Sequence, residues 1–186
     1  MIIAIEGLIG SGKSTVLREL QKRGYNVRLE PVDRWTFLDN FYKNPKKYAL
    51  PLQVQILLSF AEFDIKENEV TIVERSPQVS RSVFAKMLAH KKDLTDEQMS
   101  VYTELFDHVN PWKPDVFINL DCPVDVCMSR IEHRGDTFDI TREYMTDLQK
   151  YYEIFMRYTD NVRVDSNRSV EDVVDDIVKI IDSCAA

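Results

Sequence analysis

The sequence contains few cysteines and few histidines, which limits the metal and redox chemistry that it can support. Its three cysteines, Cys122, Cys127 and Cys184, show no C-x-x-C spacing. Such a set predicts neither a disulfide framework nor a zinc site, and it is typical of a protein in a reducing compartment. The three histidines are dispersed, with no cysteine or carboxylate at ligand spacing. We therefore expect them to be structural.

Positive charge and long apolar runs are also scarce. The formal net charge is −7 at pH 7. A duplex DNA or an anionic membrane needs a basic surface, so we expect neither a nucleic-acid nor a membrane partner. The sequence shows no signal-peptide pattern and no apolar run long enough to cross a bilayer. We therefore expect a cytoplasmic protein.

Glycine is rare, and its positions are concentrated. Three of the five glycines lie in the segment Gly7-Leu8-Ile9-Gly10-Ser11-Gly12-Lys13-Ser14. This segment fits G-x-x-x-x-G-K-[ST], in which backbone N–H groups surround a di- or triphosphate, the lysine reaches the phosphates and the serine binds Mg²⁺. A buried-strand pattern at 1–5 precedes it, and a helical pattern at 15–23 follows it. This order of strand, loop and helix predicts a nucleoside triphosphate site.

Strand and helix patterns alternate along the rest of the chain. Further strands are predicted at 25–30, 70–73, 115–120 and 161–164. Helices are predicted at 36–43, 46–66, 79–90, 99–109, 123–131, 141–158 and 170–181. This alternation predicts an α/β fold with a five-stranded parallel sheet, helices on both faces, and the phosphate loop at the carboxyl edge of the first strand. We expect one P-loop NTPase-type three-layer domain over residues 1–186.

The residues after the third strand distinguish between classes of P-loop protein. No glycine has an aspartate three positions before it, and N-K-x-D is absent, which excludes a GTPase. The aspartate that usually ends a Walker B strand is also missing. In its place, residues 70–73 lead into Glu74-Arg75-Ser76.

Five short motifs follow one another between residue 1 and about residue 155. They are residues 7–15, Glu30-Pro31-Val32-Asp33-Arg34-Trp35, Tyr42-Lys43-Asn44-Pro45 followed by Leu52-Gln53, Glu74-Arg75-Ser76, and Glu143-Tyr144 leading to Glu153. In this order they resemble the motifs of the deoxynucleoside kinase family, whose members phosphorylate the 5′-hydroxyl of a deoxynucleoside. The resemblance implies this reaction in nucleotide salvage, with ATP and Mg²⁺ as cofactors and a small-molecule deoxynucleoside as substrate.

The resemblance also implies a role for each charged residue near the phosphates. Glu30 matches the family's general base, which takes the proton of the 5′-hydroxyl. Arg75 matches the arginine that holds the 5′-oxygen and the transferring phosphoryl group, and Lys13 adds positive charge at the phosphates. Ser14 and Glu74 are expected to hold Mg²⁺, with Glu74 in place of the Walker B aspartate.

Nucleotide contacts are expected from the phosphate loop and from a late loop. The expected phosphate-loop residues are Gly7, Leu8, Ile9, Gly10, Ser11, Gly12, Lys13, Ser14 and Thr15. The loop after the fifth strand resembles the family's adenine-contacting loop, which implies contacts from Asp165 and Asn167.

A lid at about residues 130–142 is where the chain departs from the family. Arg130 and Arg134 match two lid arginines that hold the phosphates. Asp136 stands where the family has a third arginine, and the segment is about two residues shorter than in relatives. The resemblance implies a lid whose arginines clamp the phosphates.

Substrate contacts are implied in the same way. Gln53 matches the glutamine that pairs with the base, and Trp35 and Phe84 match aromatic residues that sandwich it. Tyr42 and Glu153 match the pair that hydrogen-bonds the sugar 3′-hydroxyl. The expected wall of the pocket is Ile9, Leu38, Phe41, Leu52 and Ile56.

Two positions near the base bear on specificity. Purine-tolerant and cytidine-selective relatives have an arginine and an aspartate at the positions of Phe60 and Ser80, and this chain has neither charge. Bulky Ile56 and Phe60 should narrow the cleft, whereas small Ser80 leaves room beside C5 of a pyrimidine. We therefore expect a pyrimidine preference, with thymidine first and deoxycytidine second.

Two other functions remain open at this point. A nucleoside-monophosphate kinase of the thymidylate type shares the loop, sheet and lid, although such enzymes usually have Asp-Arg after the third strand. A non-catalytic nucleotide-binding module is a second alternative, against which the retention of Lys13, Glu30 and Arg75 argues. The family also implies a homodimer, for which the apolar helices at 79–88 and 99–109 could supply the contact.

Overall fold

The computed structural model describes residues 1–66, 68–135 and 139–185. Its sheet has five parallel strands in the order β2-β3-β1-β4-β5, which confirms the predicted fold class. The strands are β1 (Ile2–Gly7), β2 (Asn26–Arg28), β3 (Thr71–Glu74), β4 (Val116–Asp121) and β5 (Asn161–Asp165). Strand β2 is shorter than predicted, because it pairs only with β3 and the chain turns into a 3₁₀ helix at Val32–Arg34, directly after Pro31.

Helices cover both faces of this sheet. They are α1 (Lys13–Lys22), α2 (Leu38–Lys43), α3 (Pro45–Ala61), α4 (Pro77–Val79), α5 (Lys86–His90), α6 (Asp96–Val109), α7 (Val124–Arg134), α8 (Arg142–Arg157) and α9 (Val170–Ala185). A π-helical segment, Ser80–Ala85, connects α4 with α5. The sequence predicted one regular helix there, because nothing in its pattern marks the wider winding.

Alternate residues of β1 point to opposite layers of the fold. Ile3 and Ile5 pack with residues of α1 and α9 in one apolar cluster. Ala4 lies in a cluster on the other face, and the next residue on that face is Glu6. Most of the apolar side chains of α3, α6 and α8 form the larger core on that second face. The phosphate loop leaves β1 between the two layers.

The prediction that the apolar side chains at 79–88 could supply a dimer contact is wrong. Val79, Val83 and Leu88 are buried within the subunit, because the helix packs against α3 and α8. Side chains that fill the subunit's own core are not accessible to a second copy. By contrast, Val101 on α6 is 57% exposed and Leu58 on the adjacent α3 is 47% exposed.

The predicted lid falls partly on residues 136–138, so Asp136 lies outside the described residues. Helix α7 before it ends at Arg134, with Gly135 in the left-handed conformation. Helix α8 after it begins at Arg142, capped by the Thr141 side chain. Within the described ranges, none of the helices combines the length and the apolar character that crossing a bilayer requires.

Candidate active site

The phosphate loop joins β1 to α1 through glycines in conformations that other residues rarely adopt. Gly7, Gly10 and Gly12 have φ values of 140°, 80° and 100°. At Gly10 a Cβ atom would lie 2.6 Å from the carbonyl oxygen of Cys127 on α7. The glycines therefore let the loop turn tightly and approach α7. At its end, Gly12 leads into α1, whose N-terminal N–H groups and dipole favour an anion.

Lys13 lies across this loop. Its Nζ donates hydrogen bonds to the carbonyl oxygens of Gly7, at 3.1 Å, and Leu8, at 2.7 Å. Burial, together with the nearby Arg75 guanidinium, lowers the pKa of Lys13 to about 8, although neighbouring carboxylates oppose this shift. A buried ammonium group at the mouth of an anion-binding loop is suited to hold phosphates.

Ser14 and Glu74 form a pair of oxygen donors next to Lys13. The Ser14 hydroxyl donates to Oε1 of Glu74 at 2.6 Å, and Oε2 of Glu74 accepts from the backbone N–H of Glu30 at 3.3 Å. In the described part of the chain, three metal-binding side chains do not come together at any point. A hydroxyl and one carboxylate, completed by phosphate and water oxygens, are the donors that Mg²⁺ accepts in kinases. The residues therefore fit a magnesium ion.

The register of the sheet brings Glu30 and Arg75 together. Strands β2 and β3 align Asn26 with Thr71 and Arg28 with Val73, so that Glu30 follows opposite Arg75. The Arg75 Nε lies 3.0 Å from a carboxylate oxygen of Glu30, and both side chains are nearly buried.

Burial decides the protonation of Glu30. It raises the pKa of Glu30 to about 7, and the Arg75 charge only partly opposes it. A carboxylate with a pKa near the working pH can act as a general base.

Glu6 is a site residue that sequence reasoning missed. Its carboxylate is fully buried, accepts a hydrogen bond from Ser76 Oγ at 2.7 Å and another from the Tyr152 hydroxyl at 3.4 Å. The same hydroxyl accepts from Arg75 Nη1, which also donates to the Gly7 carbonyl at 3.1 Å. Burial raises the pKa of Glu6 to about 7. The sequence does contain a signal for Glu6, because a charged residue at the end of an apolar strand is unusual. Glu6 was not considered because it lies between the predicted strand at 1–5 and the phosphate loop that begins at Gly7.

A cavity of about 600 Å³ extends from the phosphate loop to α3. Most of the predicted site residues line it, namely Ile9, Gly10, Ser11, Gly12, Lys13, Ser14, Thr15, Glu30, Trp35, Leu38, Phe41, Tyr42, Leu52, Gln53, Ile56, Phe60, Glu74, Arg75, Ser80, Phe84, Arg130 and Arg134. Tyr144 belongs to one of the five motifs but was not predicted as a site residue; it also lines the cavity and meets Tyr42 edge to face, with ring centroids 6.2 Å apart. Polar groups at one end and apolar walls at the other match a nucleotide-sized ligand.

The far end of the cavity holds an oriented amide. Ser80 Oγ donates to Oε1 of Gln53 at 3.2 Å, and both residues are buried. The Trp35 indole donates to Ser59 Oγ at 3.0 Å, which fixes its ring. The face of Phe84 lies 4.8 Å from the Arg75 guanidinium, so this ring covers the arginine as well as the cavity.

Glu153 does not lie with Tyr42. It is exposed and borders a second cavity, together with Tyr152 and Arg163. Successive residues of a helix point about 100° apart, so the inward position of Tyr152 turns Glu153 away. The predicted pairing of Tyr42 with Glu153 across the first cavity is therefore wrong.

The loop after β5 differs from the prediction in a similar way. Asp165 and Asn167 are exposed, and Asp165 Oδ1 accepts from the Asn167 backbone N–H at 2.9 Å, so neither lines the cavity. Their neighbours Ser166 and Arg168 line it instead. Arg130 joins this loop to the phosphate loop, because its guanidinium donates to the Ser166 carbonyl at 3.0 Å and to the Ser11 carbonyl at 3.2 Å.

Gly7 and Leu8 also lie outside the cavity lining. Their carbonyl oxygens accept hydrogen bonds from Lys13 Nζ, so these two residues hold the lysine side chain in place.

Comparison with known proteins gives consistent similarities. The family model described as deoxynucleoside kinase matches residues 3–184. The chain is 30% identical to the thymidine kinase of Ictalurid herpesvirus 1, over 97% of this chain and 86% of that protein. It is 29% identical to the deoxyadenosine/deoxycytidine kinase of Bacillus subtilis, over 97% and 93%. The structure of M. mycoides deoxyadenosine kinase with products dCMP and a flexible dCDP bound has a TM-score of 0.88 and 28% identity, over 99% of this chain and 100% of that one.

The contact between the phosphate loop and α7 predicts a specific effect of Gly10→Ala. The added Cβ would overlap the Cys127 carbonyl, so the loop must move, and we expect ATP to bind at least about tenfold more weakly by isothermal titration calorimetry. Gly24→Ala is the matched control, because Gly24 also has a positive φ but no atom within 4 Å of the added Cβ. It should lower the melting temperature and leave ATP affinity unchanged. An ATP affinity of Gly10→Ala equal to that of the wild type would contradict the assignment of this loop as the ATP site.

Proposed function

The chain belongs to the deoxynucleoside kinase family, and from this premise we propose that Glu30 and Arg75 transfer the γ-phosphate of ATP to the 5′-hydroxyl of a pyrimidine deoxynucleoside. The observation that carries the proposal is the buried Glu30–Arg75 pair, which lies between the phosphate loop and the apolar end of the large cavity. A deoxynucleoside in this cavity would place its sugar at the pair and its base at Gln53.

Each residue of the pair performs one part of the transfer. Glu30 accepts the proton of the 5′-hydroxyl as that oxygen attacks the γ-phosphorus, and its raised pKa favours the transfer near neutral pH. Arg75 stabilises the negative charge that spreads over the phosphoryl oxygens, and Lys13 holds the phosphates from the loop side. Positioning and charge neutralisation are the main requirements of phosphoryl transfer, and these side chains supply both.

Glu30→Gln tests the general base. The amide keeps the size of the side chain but accepts no proton, so we expect kcat to fall about a hundredfold or more, with deoxynucleoside affinity within about threefold of the wild type. Steady-state kinetics and equilibrium nucleoside binding measure the two effects separately. Turnover at the wild-type rate would overturn the role of Glu30.

We also propose that Ser14 and Glu74 hold the magnesium ion of the bound nucleotide. The support is the 2.6 Å contact between the two side chains beside Lys13. The bound ion would neutralise phosphate charge. Glu74→Gln should therefore raise the Mg²⁺ concentration for half-maximal rate about tenfold. Glu62→Gln is the control, because Glu62 pairs with Arg34 on the surface and should leave this concentration unchanged. An unchanged magnesium requirement in Glu74→Gln would contradict the site.

The shape of the base end supports a pyrimidine preference. Phe60 is fully buried, and Ile56 lies on the same wall of the cavity. The Ser80 hydroxyl engages Oε1 of Gln53, which leaves the amide Nε2 to donate to O4 of thymine or N3 of cytosine. Without a charged side chain at positions 60 and 80, the pocket offers no strong partner to the larger purine edge. The related proteins are named for different nucleosides, so the preference rests on this geometry.

A substrate panel tests the preference and the main alternative together. We expect kcat/KM to be highest for thymidine, then deoxycytidine, and at least about tenfold lower for deoxyadenosine and deoxyguanosine. Gln53→Ala should lower kcat/KM for thymidine, whereas Gln55→Ala should not, because Gln55 contacts Thr36 and the Phe37 backbone outside the cavity. Faster turnover of a purine nucleoside would refute the preference.

The same panel tests the alternative functions. Faster turnover of thymidine monophosphate than of thymidine would identify a monophosphate kinase instead. Nucleotide binding without any turnover would identify a non-catalytic module.

A homodimer is the assembly that we propose, with the contact on α3 and α6. Leu58 and Val101 are exposed apolar residues on these two packed helices, and an apolar face of this kind suits a two-fold contact. A sedimentation mass of one chain at micromolar concentration would contradict this assembly.

A further inference from the structure

We propose that Tyr152 and Glu6 are positioning residues, which hold the Arg75 guanidinium in the orientation that phosphoryl transfer needs. This inference rests on the proposed function and extends it to two residues that do not line the large cavity. It concerns the second edge of the guanidinium, because the first edge is held by Glu30.

The contacts form a continuous chain behind Arg75. Nε faces Glu30, and Nη1 donates to the Tyr152 hydroxyl and to the Gly7 carbonyl. The Tyr152 hydroxyl in turn donates to Oε2 of Glu6 at 3.4 Å. Two edges of the planar group are therefore fixed from opposite sides, and the guanidinium has little freedom to rotate.

Glu6 also anchors the backbone next to Arg75. Its Oε1 accepts from the Ser76 hydroxyl at 2.7 Å. Arg75 itself has φ of 63°, a conformation that costs free energy for a residue with a side chain. The hydrogen bond to Ser76 holds the chain immediately after this strained residue, so Glu6 fixes both the backbone and the side chain of the arginine.

A purely structural role explains Glu6 poorly. The carboxylate is completely buried, on the strand face where Ala4 packs in an apolar cluster. Burial of a carboxylate opposes folding, and an apolar residue of similar volume often stabilises such a position more. The contacts that compensate Glu6 lead to Arg75 and its neighbour. When it is ionised, Glu6 also attracts the Arg75 guanidinium, and this attraction adds to the hydrogen-bonded link through Tyr152.

Tyr152→Phe tests the proposal with the smallest change. It removes only the hydroxyl, so we expect kcat to fall about tenfold, with KM for thymidine and for ATP within about twofold of the wild type. Glu6→Gln keeps the volume and the acceptor for Ser76 but removes the carboxylate. We expect the same fall in kcat, with both KM values again nearly unchanged. Tyr151→Phe is the matched control at the preceding position of α8, because its hydroxyl contacts His90 on the surface. It should leave kcat and both KM values unchanged.

A double-mutant cycle distinguishes positioning from general destabilisation. We expect Arg75→Lys to lower the rate by itself, because an ammonium group cannot hold two edges as the planar guanidinium does. If Tyr152 and Glu6 act through Arg75, then adding Tyr152→Phe or Glu6→Gln to Arg75→Lys should change kcat less than about twofold further.

Two results would overturn the proposal. One is a kcat within twofold of the wild type in both Tyr152→Phe and Glu6→Gln. The other is a fall in kcat that is as large in the Arg75→Lys background as in the wild type. Absence of kinase activity in the wild type would instead refute the proposed function itself. If Glu6→Gln does not fold, Tyr152→Phe and its cycle decide the question alone.

Discussion

The ion pair between Glu30 and Arg75 is the constraint on which the rest of the site depends. Burial of two charges costs several kcal/mol for each ion unless the partners and hydrogen bonds are well placed. Here the parallel register of β2 and β3 places the two residues opposite each other, just beyond the ends of the strands. The cost is offset by the mutual attraction and by contacts from Gly7, Tyr152 and Phe84.

The surroundings of this pair divide the cavity into two chemical regions. On one side the phosphate loop, Lys13 and the Ser14–Glu74 contact form a polar region, where we propose that phosphates and a cation bind. On the other side, buried aromatic and aliphatic residues leave a cleft with one oriented amide, Gln53. In the proposed mechanism, transfer would take place where the two regions meet, at the buried Glu30–Arg75 pair, because burial strengthens the interaction of charges.

The sequence predicted the presence and order of the five strands and the phosphate loop, because each depends on local pattern. In a parallel sheet with alternating strands and helices, the carboxyl ends of all the strands lie at one edge. This alone brings Glu30, Glu74 and Arg75 near the loop. At the candidate site, the errors concern side-chain direction. Glu153 was expected in the pocket, but the rotation of α8 gives that direction to Tyr152. Asp165 and Asn167 were expected at the nucleotide, but the turn presents Ser166 and Arg168. Glu6 was missed because its meaning depends on partners far away in the sequence, Ser76 and Tyr152.

The π-helical segment Ser80–Ala85 has a consequence for how this pocket can change over evolution. Its wider winding accommodates one residue more than an α-helix with the same ends. Loss of a single residue there would restore ordinary winding and rotate Phe84 away from Arg75 by roughly a quarter turn, while the flanking helices kept their positions. A one-residue deletion could therefore alter both the base pocket and the cover of the arginine without disturbing the fold.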